Sequence, residues 1–197
     1  MDPDLDAWEP WIPEQLAERM AGVDLPWYVA GGWAIDLHAG RVTREHEDLE
    51  VAVPRDRFGE LASRFPDMDF WVPDGEASLL PVSEETLAGE PHQTWARERA
   101  TGRWRFDVFR EPHDAEQWIC RRDESVRLPY SRLVARTTAG IPYAVPEVVL
   151  LFKAKAARDK DRADLDLALP LMAAERRRWL RDALARVHPG HEWLDLV

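Results

Sequence analysis

Trp27–Val53, WYVAGGWAIDLHAGRVTREHEDLEVAV, reads as a strand, a turn at Gly31-Gly32, a short helix over Trp33–Ala39 closed by Gly40, and a second strand over Glu47–Val53 ended by Pro54. In the second strand Leu49, Val51 and Val53 alternate with His46, Asp48 and Glu50, the pattern of a pleated strand with one buried and one polar face. Asp48 and Glu50 are thereby expected on one face, about 7 Å apart by strand rise. Two carboxylates so placed in a partly buried cleft repel by about 2–3 kcal/mol at an effective dielectric of ~20. A divalent cation offsets that repulsion, and a few oxygen ligands beside a glycine turn suit Mg²⁺ carrying a nucleotide. The competing reading is a pair of surface salt bridges on an edge strand.

Outward from this stretch the chain keeps a mixed α/β pattern. Pro13 opens a first helix with Leu16, Ala17 and Met20 on one side, and Phe58, Leu61, Ala62 and Phe65 mark another. Strand-like runs follow at Met68–Val72, Gln93–Arg97 and Trp104–Arg110. In the last of these Phe106 and Val108 share one face, while Arg105, Asp107 and Phe109 share the other. Two further strands are expected near Val126–Leu128 and Leu133–Thr138. Beyond Ile141-Pro142 the pattern turns helical: a continuous run over Val148–Lys160, a helix near Ala163–Leu169 interrupted by Pro170, and a last helix through Trp179–Val187.

With 197 residues, 45% hydrophobic and 32% charged, the chain can bury a full core. Cys120 is the only cysteine, which excludes an internal disulfide and a multi-thiolate zinc site. The acidic N-terminus, MDPDLDAWEP, has no basic or apolar leader pattern, and no apolar run approaches the ~18 residues of a membrane span, so a cytoplasmic protein with no membrane partner is expected. The formal net charge of −11 disfavours duplex nucleic acid and suits a cationic small molecule. Of the ten tryptophans some must line the core and a few suit a stacking wall for a ring-bearing ligand, a division that composition does not make.

Asp107 reads either as a site carboxylate or as the ion-pair partner of Arg105 or a neighbouring arginine. On a continuous helix Lys153, Lys160 and Asp164 fall on one stripe, so Lys153 suits a phosphate or a pairing with Asp164. Asp161 and Asp164 are expected to be structural. His46 reads as a hydrogen-bonded neighbour of the acids, and His188 and His191 as surface residues.

Taken together, Gly31-Gly32-Trp33-Ala34-Ile35-Asp36, then Gly40, then Thr43-Arg44-x-His46-x-Asp48-x-Glu50 resembles the signature of antibiotic-modifying nucleotidyltransferases. These belong to the polymerase-beta-like nucleotidyltransferase superfamily, and the likeness is to its aminoglycoside and lincosamide adenylyltransferase type. Pro146-Glu147, Leu151-Phe152-Lys153 and Lys160-Asp161-x-x-Asp164 resemble the helical motif that follows the catalytic core in such proteins. The resemblance implies an α+β fold: a mixed β-sheet nucleotidyltransferase core flanked by helices over 1–142, with a C-terminal helical segment over 143–197 packed on it, an arrangement also compatible with one single domain. It implies Mg²⁺ at Asp48, Glu50 and Asp107, with Asp107 completing the site or acting as general base. It also implies Gly31 and Gly32 on the triphosphate, with Arg44 and Lys153 as cofactor-binding cations. Asp48-x-Glu50 departs from the Asp-x-Asp of many relatives, although kanamycin-type enzymes resemble this chain in using Asp-x-Glu.

The activity so implied is Mg²⁺-dependent transfer of a nucleoside monophosphate, with ATP as default donor, to a hydroxyl of a small cationic or polyhydroxylated acceptor such as an aminoglycoside. Two alternatives stand beside it: a toxin-like enzyme that nucleotidylates RNA or protein, and an inactive nucleotide-binding relative. Related enzymes often build the site between subunits or domains, which keeps a homodimer open.

Overall fold

A computed structural model describes residues 3–75 and 78–197. In chain order its elements are α1 (Pro13–Arg19), β1 (Tyr28–Val29), α2 (Gly31–Ala39), β2 (Glu50–Pro54), α3 (Phe58–Ser63), β3 (Met68–Pro73), β4 (Leu79–Pro81), α4 (Glu84–Ala88), β5 (Gln93–Glu98) and β6 (Trp104–Glu111). There follow β7 (His113–Asp114), β8 (Gln117–Ile119), β9 (Arg127–Pro129), α5 (Tyr130–Leu133), β10 (Val134–Arg136), β11 (Pro142–Ala144), α6 (Pro146–Lys153), α7 (Asp159–Ala168) and α8 (Ala174–Val187). The mixed sheet and flanking helices are those the sequence predicts.

The chain clusters into two compact units, residues 1–29 with 46–113 and residues 30–45 with 114–197. Residues 30–45 group with the C-terminal helices because α2 packs against α6 and α7, and residues 114–142 join them where Trp118 meets Phe152 edge-on at 6.0 Å and Val145 N–H donates to the Leu133 carbonyl at 2.9 Å.

In the first unit the strands lie in the order β1-β2-β6-β5-β3-β4. β2 runs parallel to β6, and the β1/β2, β5/β6, β3/β5 and β3/β4 pairs are antiparallel. Ala7 to Trp11 extends β6 at its start: Trp104 N–H donates to the Ala7 carbonyl at 3.0 Å, and Trp11 N–H to that of Arg105 at 2.9 Å. One face of the sheet is closed by α1 and α3, which bury Leu16, Phe58 and Leu61 with Phe65, Phe106 and Val108. Trp11 stacks on Phe106 at 5.5 Å, and Trp104 meets Trp95 edge-on at 5.4 Å. None of the ten tryptophans is exposed, and Trp11, Trp27, Trp104, Trp118 and Trp193 are buried, so half of them are core.

In the second unit α6 packs on α2, α7 and α8, burying Ile35, Leu150, Leu151, Leu165, Leu180 and Leu184. The run expected to be one helix over Val148–Lys160 is broken. α6 ends at Lys153, a short 3₁₀ turn covers Ala154–Ala156, and α7 starts at Asp159. Extended backbone at Arg158, bonded to Asp161, makes the break: Asp161 accepts the Arg158 N–H at 3.1 Å and its Nε–H at 3.0 Å. An acid three residues into a helix is a sound N-terminal partner, and it competes with continuation of the preceding helix.

Candidate active site

The parallel β2/β6 ladder sets the carboxylates. Its register pairs Glu50 with Asp107, and Asp107 N–H donates to the Leu49 carbonyl at 2.8 Å. Register partners project to the same face of a sheet from strands about 4.8 Å apart. β2 has β1 on one side and β6 on the other, so Glu50 stands on an interior strand and not on an edge. The strand begins three residues later than its predicted start. Asp48 lies in the irregular segment before it and is exposed, because β1 is only two residues long and pairs no further back than Val51. Buried Leu49 still anchors the chain between the two acids.

Asp107 is the most constrained of the three, at 3% exposure. Its Oδ2 accepts the Gln93 Nε2–H at 2.7 Å, and Oδ1 is buried without a hydrogen-bond partner. Burial, then the charge of Glu50, pushes its carboxyl well above the ordinary range; Asp48 adds to this, while Gln93 and the Thr94 amide oppose it. Arg105 is not its partner: that guanidinium pairs with Glu98 at 2.7 Å and Glu9 at 3.4 Å. With one Asp107 oxygen on Gln93 and the other unpartnered, the alternative ion pair with Arg105 or a neighbouring arginine is excluded. Gln93 is a site neighbour that sequence reasoning misses, since only the β5/β6 register (Gln93 opposite Phe109) brings it within reach.

A buried carboxylate oxygen with no donor, beside a second carboxylate, is chemically a cation ligand waiting for a partner. Asp48, Glu50 and Asp107 thus fit a hard divalent ion by donor type. Among the described residues, however, no three His, Cys, Asp or Glu side chains converge as a ready-made coordination cluster. Like-charge repulsion opposes such convergence.

The second unit carries the remaining predicted residues. Gly31 opens α2 with φ +58°, a conformation that favours glycine, and Gly32 is buried in the same first turn. The glycines are therefore the start of the helix and not a separate turn before it. Gly40 closes α2 at φ +70°, as predicted. Asp36 is buried on α2 and bound twice by Thr43, through Oγ1 at 2.5 Å and the backbone N–H at 3.0 Å. That clamp returns the chain from α2 toward Arg44, and it explains the Asp36 and Thr43 of the motif as scaffold.

Arg44 Nη2 lies 3.4 Å from Asp164 Oδ2, and its Nη1–H donates to the Glu45 carbonyl. The Lys153 ammonium is bonded to Asp161 at 2.7 Å and to Asp164 at 2.9 Å. A continuous helix would have spread these residues along one stripe; the break after α6 instead turns α7 back so that both acids meet the lysine. Burial raises the Asp161 carboxyl, but the Arg158 and Lys153 hydrogen bonds outweigh it and hold it at about 2. Asp161 and Asp164 are thus structural in geometry. His188 is half-buried, its Nε2 3.1 Å from Arg122 Nη1, so it is not a plain surface residue. No helix among the described residues is long and apolar enough to cross a membrane.

Comparison with known proteins agrees with this architecture. Residues 14–77 match the family model described as Aminoglycoside-2''-adenylyltransferase. A 2''-aminoglycoside nucleotidyltransferase of Klebsiella pneumoniae is 38% identical over 77 residues, which is 38% of this chain and 43% of the relative. One from Escherichia coli is 53% identical over 38 residues, 19% of this chain and 22% of the relative. The matched stretches thus span less than half the length of these curated relatives. Among solved structures, ANT(2'')-Ia in complex with adenylyl-2''-tobramycin superposes with a TM-score of 0.58 at 16% identity, covering 88% of this chain and 95% of the other. The lincosamide antibiotic adenylyltransferase LnuA, lincomycin-bound, gives 0.54 at 16% identity over 81% and 93%. The chain therefore has the fold seen in the aminoglycoside and lincosamide nucleotidyltransferases, and its residues 14–77 are similar to the family model described as Aminoglycoside-2''-adenylyltransferase.

Proposed function

We propose that this protein transfers a nucleoside monophosphate, AMP from ATP, to a hydroxyl of an aminoglycoside-like acceptor. The observation that carries the proposal is the buried Asp107 carboxyl, with one oxygen unpartnered, in register with Glu50 and within electrostatic reach of Asp48. Mg²⁺, when bound, would neutralise charge on the triphosphate and the leaving pyrophosphate. Asp48, just before β2, and Glu50, its first residue, are the residues proposed to hold it, with Asp107 adjoining.

Asp107 is further proposed to take the proton of the attacking hydroxyl. Its raised affinity for a proton is what a general base at neutral pH requires, and Gln93 fixes the carboxyl plane while leaving Oδ1 available. In the second unit the bare amides at the glycine start of α2 are the proposed phosphate holders. Arg44 is assigned to the same role. Lys153, engaged by two buried carboxylates, is assigned to holding the α6–α7 corner. The acceptor class is supported by the net charge of −11, which favours encounter with a polycation, and by the names of the matched relatives.

The test is incubation of the protein with Mg²⁺, ATP and a panel of aminoglycosides and lincosamides, with the products read by mass. A gain of one AMP on an acceptor, lost in Asp48→Asn with the fold retained, is expected. Turnover that survives Asp48→Asn, or no product from any acceptor despite Mg²⁺-dependent ATP binding, would sink the proposed chemistry. The latter result would favour the inactive relative.

A further inference from the structure

Asp107 and Arg110 lie three residues apart on β6, so their side chains leave opposite faces of the sheet. Arg110 is 4% exposed and has no carboxylate within ion-pair distance among the described residues. Its guanidinium lies over the Phe58 ring at 5.3 Å, and Nη1–H donates to the Pro91 carbonyl at 3.2 Å. Its backbone N–H holds the same loop through the His92 carbonyl at 2.7 Å, while Nε is buried with no hydrogen-bond partner.

Arg55 follows directly on Pro54, the last residue of β2, which pairs with Glu111 beside Arg110. Its Nε is likewise buried and unpartnered. Arg110 is pulled below its ordinary range by burial and by the charge of Arg55, with Glu90 opposing. Two guanidinium groups with unused donors therefore stand at one ladder end, and their planar N–H sets match the oxygens of an oxyanion.

The acid facing this pair is the chain's own Glu90, whose carboxylate is bonded to Arg55 Nη1 and whose side chain is 66% exposed. Glu90 sits in the left-handed region at φ +50°, between Gly89 and Pro91. That region is strained for a non-glycine residue, so the backbone resists the position the carboxylate occupies.

We propose that Arg55 and Arg110 form an anion-binding site for a tetrahedral oxyanion of the phosphate class, with the Glu90 carboxylate as an internal, displaceable occupant. The site belongs to the first unit and uses none of the residues assigned to nucleotidyl transfer, so its failure would leave that assignment intact.

The test uses the full chain in chelator, so that no metal-dependent nucleotide site contributes. Inorganic phosphate, sulfate and acetate are titrated separately at constant ionic strength set with chloride, with melting temperature and phosphorus NMR line width as readouts. Phosphate and sulfate are expected to raise the melting temperature saturably, by about 3–5 °C at a tenfold excess over Kd. Acetate is expected to do less. Arg55→Gln, at a half-exposed position compatible with folding, should weaken phosphate at least tenfold, and Glu90→Gln should tighten it several-fold. An undiminished response in Arg55→Gln would mean an adventitious ion only, and would overturn the proposal. So would the absence of any response in both the wild type and Glu90→Gln; a response in Glu90→Gln alone would support it.

Discussion

Replacing Asp107 by asparagine should make the metal-free protein more stable while removing its activity. The side chain keeps its shape and still offers an oxygen to the Gln93 amide, which now donates to Asp107 Oδ2 at 2.7 Å. What disappears is an acid buried at 3% exposure, in register with Glu50 across about 4.8 Å. At an effective dielectric of ~20 that pair repels by about 3 kcal/mol when both are ionised, and solvent at half-exposed Glu50 lowers the recoverable part to about 1–2 kcal/mol. For a chain of this size the gain corresponds to about 3–6 °C in melting temperature.

The pH dependence carries the sign. Asp107 binds its proton more tightly folded than unfolded, because burial and Glu50 raise its pKa. The folded state therefore holds more protons above the unfolded value near 4, and wild-type stability falls as pH rises from there through the raised value. Melting curves of both proteins in chelator, from pH 4 to 9, should coincide at the acid end and diverge upward. Mg²⁺ should then stabilise the wild type more than the variant, which keeps Asp48 and Glu50 but loses the adjoining charge. A variant that melts at or below the wild-type temperature at pH 8 would refute the account of Asp107 as a strained, functionally retained acid.

Other outcomes follow from the same geometry. Asp48→Asn should lower turnover by a factor on the order of 10² or more with an unchanged melting temperature, since Asp48 is exposed and lies outside the ladder; steady-state rates beside a thermal melt check this. Lys153→Met should cost about 3 kcal/mol in denaturant unfolding, because it leaves Asp161 and Asp164 buried without their shared cation. With Asp161 held at about 2, its stabilising contribution is full above pH ~4 and is lost as pH falls toward 2, a transition that Asp161→Asn should remove from acid-unfolding curves. Thr43→Val should cost about 1–2 kcal/mol by removing the hydroxyl clamp on Asp36, and its effect should be read in stability before any change in rate.

Much of this protein is legible without coordinates. Period-two alternation placed Phe106 and Val108 against the core with Asp107 on the other face. Period-3.6 spacing found the buried face of α3. Proline and glycine marked the start of α1 and the end of α2. These are local effects, set by side-chain direction and backbone freedom within a few residues, so they are written in adjacent letters.

What needed the tertiary structure is pairing. Glu50 and Asp107 are 57 positions apart, and only the parallel β2/β6 ladder puts them side by side. The same holds for Gln93 on Asp107, for Arg105 choosing Glu98 and Glu9 over Asp107, and for Lys153 meeting two acids from a second helix. Asp161 capping Arg158 decided where one helix became two, because hydrogen bonds at a helix start outcompeted local helix propensity. The residue types of a cation site were thus present in the sequence, whereas the burial and like-charge proximity that make Asp107 an unusual acid arise only when distant strands are brought into register.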